Sequence, residues 1–450
     1  MDVVIAGGGK IGEALCQELA VEDINIVLIE QNPNRLERII NKSDITGLAG
    51  DGADYDNLVE AGVPNCDIFI AVTPEDETNI ISSIIARKLG ATHTIARVRN
   101  PKFSNHLEFV RETLGITMII NPELEAAKHI SKILEFPEPL SVESFERGRV
   151  NIVEILIRKN SDLIDTSLEQ FRQTYGDVLI CAVTHKQDTF IPSGETTLRA
   201  GDRLYVTGSN EDLTNFYTKA GYKEDTVNSA LIIGGGRETY YLLKMLASHP
   251  IDFKVIELKH DTAVELSADF PDAMIIHGDG TDQELLNEER IDQFDSVLSL
   301  TGIDEENIIN SLYAVSLEVN KVITKVSRTG LLKILGDMDL QSIVVPKRII
   351  TSKILRFVRS LTSTKASNVE ALYRIADNKV EALQFLIKKD SQVIGVELKD
   401  LQTKDNTLVA YIIRDEHLIF PSGTDSIQAG DHVIIVTTHK AFDDIDDILK

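Results

Sequence analysis

Val4-Ile5-Ala6-Gly7-Gly8-Gly9-Lys10-Ile11-Gly12 stands at the start of the chain and decides how the rest is read. Val4 to Ala6 is a short β-branched run, and a helical pattern begins after the glycines. Gly7, Gly9 and Gly12 therefore satisfy G-x-G-x-x-G in the strand–turn–helix context that gives the motif meaning. Each glycine has a task there: Gly7 makes the tight turn, Gly9 lets backbone approach a phosphate, and Gly12 lets the helix pack close to the strand. Unpaired amides at the helix start then face the phosphate. Glu30 ends the next run, Asn25 to Ile29, 18 residues after Gly12, where a carboxylate can accept hydrogen bonds from ribose hydroxyls. A carboxylate there repels a 2′-phosphate, which favours NAD(H) over NADP(H). NAD(H) and ATP or ADP stay unresolved, because all offer free ribose hydroxyls.

The same stretch returns 227 residues later as Ile232-Ile233-Gly234-Gly235-Gly236-Arg237, and Ile26 to Glu30 returns as Phe253 to Glu257. Further matches follow in order. Gly50-Asp51-Gly52 answers to Gly278-Asp279-Gly280, Val72-Thr73 with Asp76, Glu77 and Asn79 to Leu300-Thr301 with Asp304, Glu305 and Asn307, Arg97-Val98 to Lys325-Val326, and Pro122 to Pro346. Pro192-Ser193-Gly194 and Ala200-Gly201-Asp202 recur as Pro421-Ser422-Gly423 and Ala429-Gly430-Asp431. An ordered series of this kind means two tandem copies of one unit.

Within the first copy, Val3 to Ala6, Asn25 to Ile29, Ile68 to Val72 and Thr94 to Val98 read as buried parallel strands, with helical segments between them. Asn79 to Leu89 is one such segment, with Ile80, Ile81, Ile84 and Ile85 at helical spacing. Alternation of this kind predicts a doubly wound sheet. After Pro122 and Pro346 comes a helical stretch rich in Lys, Arg and Ile, and then, over 150–220 and 379–445, the period changes to 2, as in Val178 to Val183 before the turn at Lys186-Gln187-Asp188. The fold class expected is α/β, with two tandem Rossmann-like doubly wound parallel-sheet domains, each followed by a small β-rich α+β domain. The expected divisions are 1–121 (nucleotide-binding), 122–149 (linking helices), 150–222 (β-rich), 228–345 (second nucleotide-binding), 346–368 (linking helix) and 369–450 (second β-rich).

Other residues gather at carboxyl ends of the strands, where ligands of open α/β sheets bind. Asp51 is expected near adenosine and Thr73 near ribose or phosphate. Arg97 and Arg99 suit phosphate neutralisation, and equally a strand edge paired with the many acids. The second copy departs at Thr239, which stands where the third glycine belongs and is expected to hold the helix away from the strand, while Arg237 replaces Lys10 and Glu257 keeps the ribose contact. The two sites are thus expected to differ, the first tolerating a dinucleotide and the second favouring a compact polyphosphate or staying empty.

Composition excludes several classes. The 450 residues carry 71 acidic and 46 basic side chains, a formal net charge of −25, which makes docking on nucleic acid or anionic lipid improbable. No apolar run approaches the ~18 residues of a membrane span. Cys16, Cys66 and Cys181 are too far apart for a disulfide framework or a zinc motif and read as small buried apolar residues. No spaced acidic cluster marks a cation loop, and no metal is expected. His93, His106, His129 and His185 have no counterpart His in the second copy and read as scattered surface residues. Without a paired acid and base in the following domains, no catalytic residue is assigned, and duplicated nucleotide sites suggest binding converted to conformational change. The stripe Lys347, Arg348, Lys353, Arg356 and Arg359 reads either as a solvated helix face or as an inter-subunit or channel-facing contact. The helices after Pro122 and Pro346 are the expected transmitters.

This order of motifs, closing each time on Ala-Gly-Asp, resembles the regulatory (RCK, or KTN plus TrkA-C) unit of bacterial potassium transport over essentially the whole chain. The resemblance implies a cytoplasmic nucleotide-binding regulator, peripheral on the inner face of the membrane through a TrkH- or TrkG-like potassium-transport subunit, and assembled as a homotetramer into a gating ring. It implies ligand contacts at Gly7, Gly8, Gly9, Lys10, Ile11, Glu30, Asp51, Thr73, Pro74, Arg97 and Val98. In the second copy they fall on Gly234, Gly235, Gly236, Arg237, Glu238, Glu257, Asp279, Thr301 and Lys325. Thr329 in place of Pro101 is a smaller departure. The implied ligand is NAD(H), with ATP or ADP as alternatives. An NAD-dependent oxidoreductase and a sensor serving a different ion transporter are the competing readings.

Overall fold

The computed structural model describes residues 1–450 apart from 23, 105–106, 136–140, 146–148, 159–160, 187, 222–226, 332–339, 341, 363–368, 377–378 and 441. His106 and Gln187 of the expected turn lie outside the described residues. The described residues form two compact units, and the chain enters each twice. Unit 1 holds Met1–Ser131 and Asn228–Leu355, and unit 2 holds Lys132–Val227 and Arg356–Lys450. Like therefore groups with like: both nucleotide-type domains make one unit and both β-type domains the other.

In unit 1, the first sheet consists of β1 (Asp2–Ala6), β2 (Asn25–Glu30), β3 (Thr46–Ala49), β4 (Ile68–Ala71), β5 (His93–Arg97) and β6 (Met118–Ile120). Its order is β3-β2-β1-β4-β5-β6 and every pairing is parallel. Expected strand limits are met to within a residue at each end. The apolar strands β1 and β4 are buried because helices cover the sheet, and Lys10–Ala20 supplies Leu15, Cys16 and Leu19 to the core with no exposed surface. The helix foreseen at Asn79 to Leu89 runs Asp76–Leu89, and of the isoleucines that signal it Ile80 and Ile85 pack against core clusters only partly buried, while its fully buried face is made of smaller residues. Asn79, Ser82, Ser83 and Ala86 are fully buried, whereas Ile81 is 52% exposed. Small side chains let this helix lie close on the sheet. Helix Asp304–Ser316 repeats the arrangement with Asn307, Asn310, Ser311 and Ala314 inward, and Thr324 donates to Ser311 Oγ at 2.8 Å beneath it.

Unit 2 begins with β7 (Ser141–Phe145), β8 (Val150–Leu156), β9 (Leu179–His185), β10 (Asp188–Phe190) and β11 (Arg203–Gly208), in the antiparallel order β10-β9-β11-β8-β7. Back in unit 1, β12 (Ser229–Ile233), β13 (Asp252–Glu257), β14 (Met274–His277), β15 (Ser296–Ser299), β16 (Lys321–Lys325) and β17 (Ser342–Val344) make the second parallel sheet, with the first sheet's order repeated. In unit 2 again, β18 (Val369–Ile375), β19 (Val380–Leu386), β20 (Thr407–Arg414), β21 (His417–Ile419) and β22 (His432–Thr437) form the last sheet, β18-β19-β22-β20-β21. Phe145, Val150, Ile152, Cys181, Ala182 and Tyr205 share one apolar cluster with Ile375, Val380, Ala382, Tyr411, Ile434 and Val436, so the two β-type domains are built on a common core. Phe145 meets Tyr373 edge-to-face at 4.5 Å. Cys16, Cys66 and Cys181 are all buried, and burial pushes each thiol up to about 12.

Two outcomes follow for unit 2. Phe145→Ala removes a ring that is 1% exposed and should cost about 3–5 kcal/mol in urea unfolding. Glu143 is held up to about 7 by burial, against the opposing pull of Arg356 and Lys132. The folded chain therefore keeps this proton to about pH 7, while the unfolded chain loses it near the ordinary carboxyl value. Its contribution should be greatest in acid and fall, by up to about 3 kcal/mol, as pH rises from about 4.5 to 7. Denaturation curves at several pH values should show that decline, and Glu143→Gln should flatten it.

Candidate functional site

The order of the first sheet reverses between β1 and β4, and the glycine-rich turn sits at their carboxyl ends. Gly7 has φ +104°, and a Cβ on it would lie 2.9 Å from the Thr73 amide nitrogen, so only glycine fits where the two strand ends converge. Gly7 N donates to Ile29 O at 2.9 Å. Glu30, 6% exposed, locks the next residue: its Oε2 accepts from Gly8 N at 2.7 Å and its Oε1 from Asn32 N at 2.8 Å, with Arg35 Nη1 at 3.4 Å. No atom lies within 4 Å of where a Cβ on Gly9 would stand, so the face of the turn is open at the residue suited to a phosphate. A Cβ on Gly12 would come 1.9 Å from Gly7 O, which is the close helix approach expected of it.

Around this turn the structure gathers most of the sequence-derived residues. Lys10 is exposed beside it. Asp51 is exposed past β3, with Oδ1 accepting from Ala53 N at 2.9 Å. Arg97 donates through Nη2 to Thr73 O, and Arg99 donates through Nη2 to Pro74 O. Burial, and behind it the neighbouring Arg99, pushes the Arg97 guanidinium down to about 10, so it remains a cation at neutral pH. Ile11 and Val98 are buried, and Val98 belongs to an apolar cluster with Ala96 and Ile116. Their side chains pack the sheet; only their backbone can face a ligand.

The repeat also contained residues to which no role was given. Asn79, fully buried, accepts at Oδ1 from Thr73 N (2.7 Å) and donates from Nδ2 to Thr73 O and Arg97 O, both at 3.0 Å, tying the ends of β4 and β5 together. Asn307 does the same for Thr301 and Lys325. Asp76 receives Arg99 N and Asn100 N at 2.8 Å, and Asp304 receives Ser327 N and Arg328 N. Their recurrence at fixed distance from Thr73 and Thr301 was the available signal.

The second turn reproduces the first in backbone. Gly234 has φ +104°, Gly235 N donates to Glu257 Oε2 at 2.6 Å, and Lys259 N donates to Glu257 Oε1 at 2.8 Å. Asp279 is exposed, and hydrogen bonds from Thr281 hold its carboxyl below the usual range. Thr301 Oγ1 lies 3.2 Å from Glu306 Oε2. Thr239 is buried and donates from Oγ1 to Gly234 O at 2.5 Å, so its hydroxyl occupies the approach that Gly12 leaves to bare backbone. Arg237 is exposed, whereas Glu238 and Lys325 are buried and paired, Nζ to Oε1, at 3.0 Å.

The two halves of unit 1 meet beside these turns. Asn121 Nδ2 donates to Tyr241 Oη at 2.9 Å, and Tyr241 Oη donates to Arg99 O at 2.8 Å. Tyr241 lies on the helix Arg237–Leu246 that begins at the second turn. Burial raises the Glu123 carboxyl, and the nearby Glu238 adds to the rise. Lys353 Nζ pairs with Glu125 Oε1 at 2.9 Å. The basic stripe is thus neither a solvated face nor turned outward throughout: besides Lys353, Arg356 stacks 4.2 Å over Tyr373 and Arg359 Nη1 reaches the buried Glu381 at 3.4 Å. Of the histidines, His185 Nδ1 contacts the buried Asp202 at 2.6 Å, and Arg414 takes the same place against Asp431 in the other β-type domain.

Comparison with known families agrees with this layout domain by domain. The TrkA-N domain matches residues 3–122 and 230–346, and the TrkA-C domain matches 152–221 and 382–450. The chain belongs to the TrkA-N and TrkA-C domain family. It is similar to the Trk system potassium uptake protein TrkA homolog 2 of Methanosarcina mazei, with 28% identity and both chains covered completely. It is 27% identical to the Trk system potassium uptake protein TrkA of Vibrio alginolyticus, over 98% of this chain and 97% of that one. In fold it is similar to the GsuK RCK domain (TM-score 0.63, 18% identity, 97% of this chain and 92% of that one) and to the GsuK channel bound to NAD (TM-score 0.63, 17% identity, 97% and 76%).

The two turns should respond unequally to the exchange of these residues. Gly12→Ala should destabilise unit 1 by about 2 kcal/mol or more, because its methyl meets a backbone carbonyl that cannot withdraw. Thr239→Gly should cost less than that in the same urea titration.

Proposed function

We propose that this protein is a nucleotide-responsive regulatory subunit of a potassium-uptake system, working at the cytoplasmic face of a TrkH- or TrkG-like membrane subunit. NAD(H) is the proposed ligand of the first turn, with ADP and ATP as alternatives. Lys10, Asp51, Thr73, Pro74 and Arg97 would surround it, and Glu30 would take the ribose. The observation that carries the reading is the Asn121–Tyr241–Arg99 hydrogen-bond chain, which links the rim of one turn to the helix that starts at the other. A ligand that rearranges the first turn thereby acts on the second half of unit 1. Further support comes from the relatives named as Trk system proteins and from GsuK, described in one structure with NAD and in another with ADP.

A regulator of this kind works by differential binding. A ligand shifts the balance of two conformations only by the difference in its affinity for them, typically ~1–3 kcal/mol per coupled pair of sites. Assembly of several chains, a tetramer in this proposal, multiplies that difference. The helices Pro122–Glu135 and Pro346–Thr362 carry the chain from unit 1 into unit 2 and are the natural route of transmission.

The test combines calorimetry with flux. NADH, ADP and ATP should bind the full chain, and Glu30→Ala should weaken binding at least about tenfold, since both the ribose acceptor and the anchor of the Gly8 amide are lost. Potassium flux through the reconstituted membrane subunit should change with nucleotide in the presence of the wild-type chain and not of Glu30→Ala. Steady turnover of NADH with a hydroxy acid or ketone would instead establish an oxidoreductase. Nucleotide binding without any effect on that subunit would point to a different transporter.

A further inference from the structure

The two glycine-rich turns have nearly the same backbone, yet their fronts differ. At Gly9, the residue placed to meet a phosphate, the first turn is empty out to 4 Å from an ideal Cβ. At Gly236, its counterpart, the carboxylate Oε2 of Glu238 lies 3.5 Å from that position. Glu238 stands two residues into the helix Arg237–Leu246, where the first copy has Ile11, and its side chain folds back over the turn. It is 9% exposed, and its other oxygen, Oε1, receives Lys325 Nζ at 3.0 Å. Lys325 is 7% exposed and corresponds to Arg97, the cation at the rim of the first turn.

We infer that the second turn is closed by its own chain, with the Glu238 carboxylate standing where a ligand phosphate would stand and Lys325 neutralising it. The chemistry matches a phosphate on both sides: an anion at a helix start, where free amides and the helix dipole favour negative charge, and an ammonium to balance it. A diphosphate entering this turn would have to displace a buried, paired carboxylate. It would also meet the negative charge of Glu123, whose carboxyl is raised by burial and by the nearby Glu238, and of Glu306, whose Oε2 lies 3.2 Å from Thr301 Oγ1. Glu238 and Lys325 therefore contact each other in place of a nucleotide, and the second half serves as a fixed partner that senses the first through Tyr241.

This inference rests on the reading of the first turn as a nucleotide site, and the experiment separates the two. ADP is titrated calorimetrically into the full chain as wild type, Glu30→Ala, Glu238→Ile and the double variant Glu30→Ala/Glu238→Ile. Wild type should bind one ADP per chain and Glu30→Ala, at the same concentrations, essentially none. Glu238→Ile restores the first copy's residue and frees Lys325, so it should bind two, and the double variant one. Glu238→Gln, which keeps a hydrogen-bonding partner for Lys325 while removing the charge, should tighten the second site by roughly tenfold or more and guards against a folding defect in Glu238→Ile. Two ADP per wild-type chain, with one remaining in Glu30→Ala, would overturn the closure. So would folded Glu238→Ile and Glu238→Gln chains that gain no second ADP. If wild type binds none and Glu238→Ile binds one, the closure stands and the reading of the first turn falls; if no chain binds, both fall.

Discussion

A single buried carboxylate holds each nucleotide-type domain in working form. Glu30 ends β2, reaches across to the amide of Gly8, and at the same time caps the loop that follows at Asn32. Gly7 can turn as it does only because this amide is satisfied, and the convergence of β1 and β4 at Thr73 depends on the turn. The same pair of contacts recurs at Glu257 with Gly235 and Lys259. A residue that the motif assigns to ribose recognition is thus first of all a structural brace, with both carboxylate oxygens hydrogen-bonded to backbone amides.

Duplication has kept this brace and let the surroundings diverge. Asn79 and Asn307 clasp the same two strand ends in the two copies, and Asp76 and Asp304 receive the same pair of amides. What differs is charge. The first turn looks toward Lys10, Arg97 and Arg99, whereas the second has turned one of its cations inward against Glu238. On the proposal above, two halves of one unit thereby take the parts of sensor and support without any change of fold. The Asn121–Tyr241–Arg99 contacts join the two halves, and breaking either bond would leave polar groups unsatisfied inside an interface, which is costly.

Most of the fold was legible in the sequence because its signals were local or repeated. β-branched runs marked four of the six strands of the first sheet to within a residue, and the glycines marked the turn. The inward face of helix Asp76–Leu89 was not legible, since the period of its isoleucines marks a helix without saying which side buries serines and an asparagine. The pairing of like domains into units was hidden as well: residues such as Phe145 and Val436, 291 positions apart in the sequence, share a core. At the site, Glu30, Glu257 and the glycines of the turns could be read from spacing. The Glu238–Lys325 pair could not, because it joins a helix start to a strand end and only coordinates reveal that the two side chains meet.

The three thiols have a consequence for what such a regulator can respond to. Each is buried and pushed up to about 12, so at neutral pH the thiolate that would react with peroxide or disulfide is scarcely populated. None of the three cysteines is therefore poised to react with oxidants. On the function proposed above, a response of potassium uptake to the reducing state of the cell would be carried by the oxidation state of a nicotinamide ligand rather than by any of these three thiols.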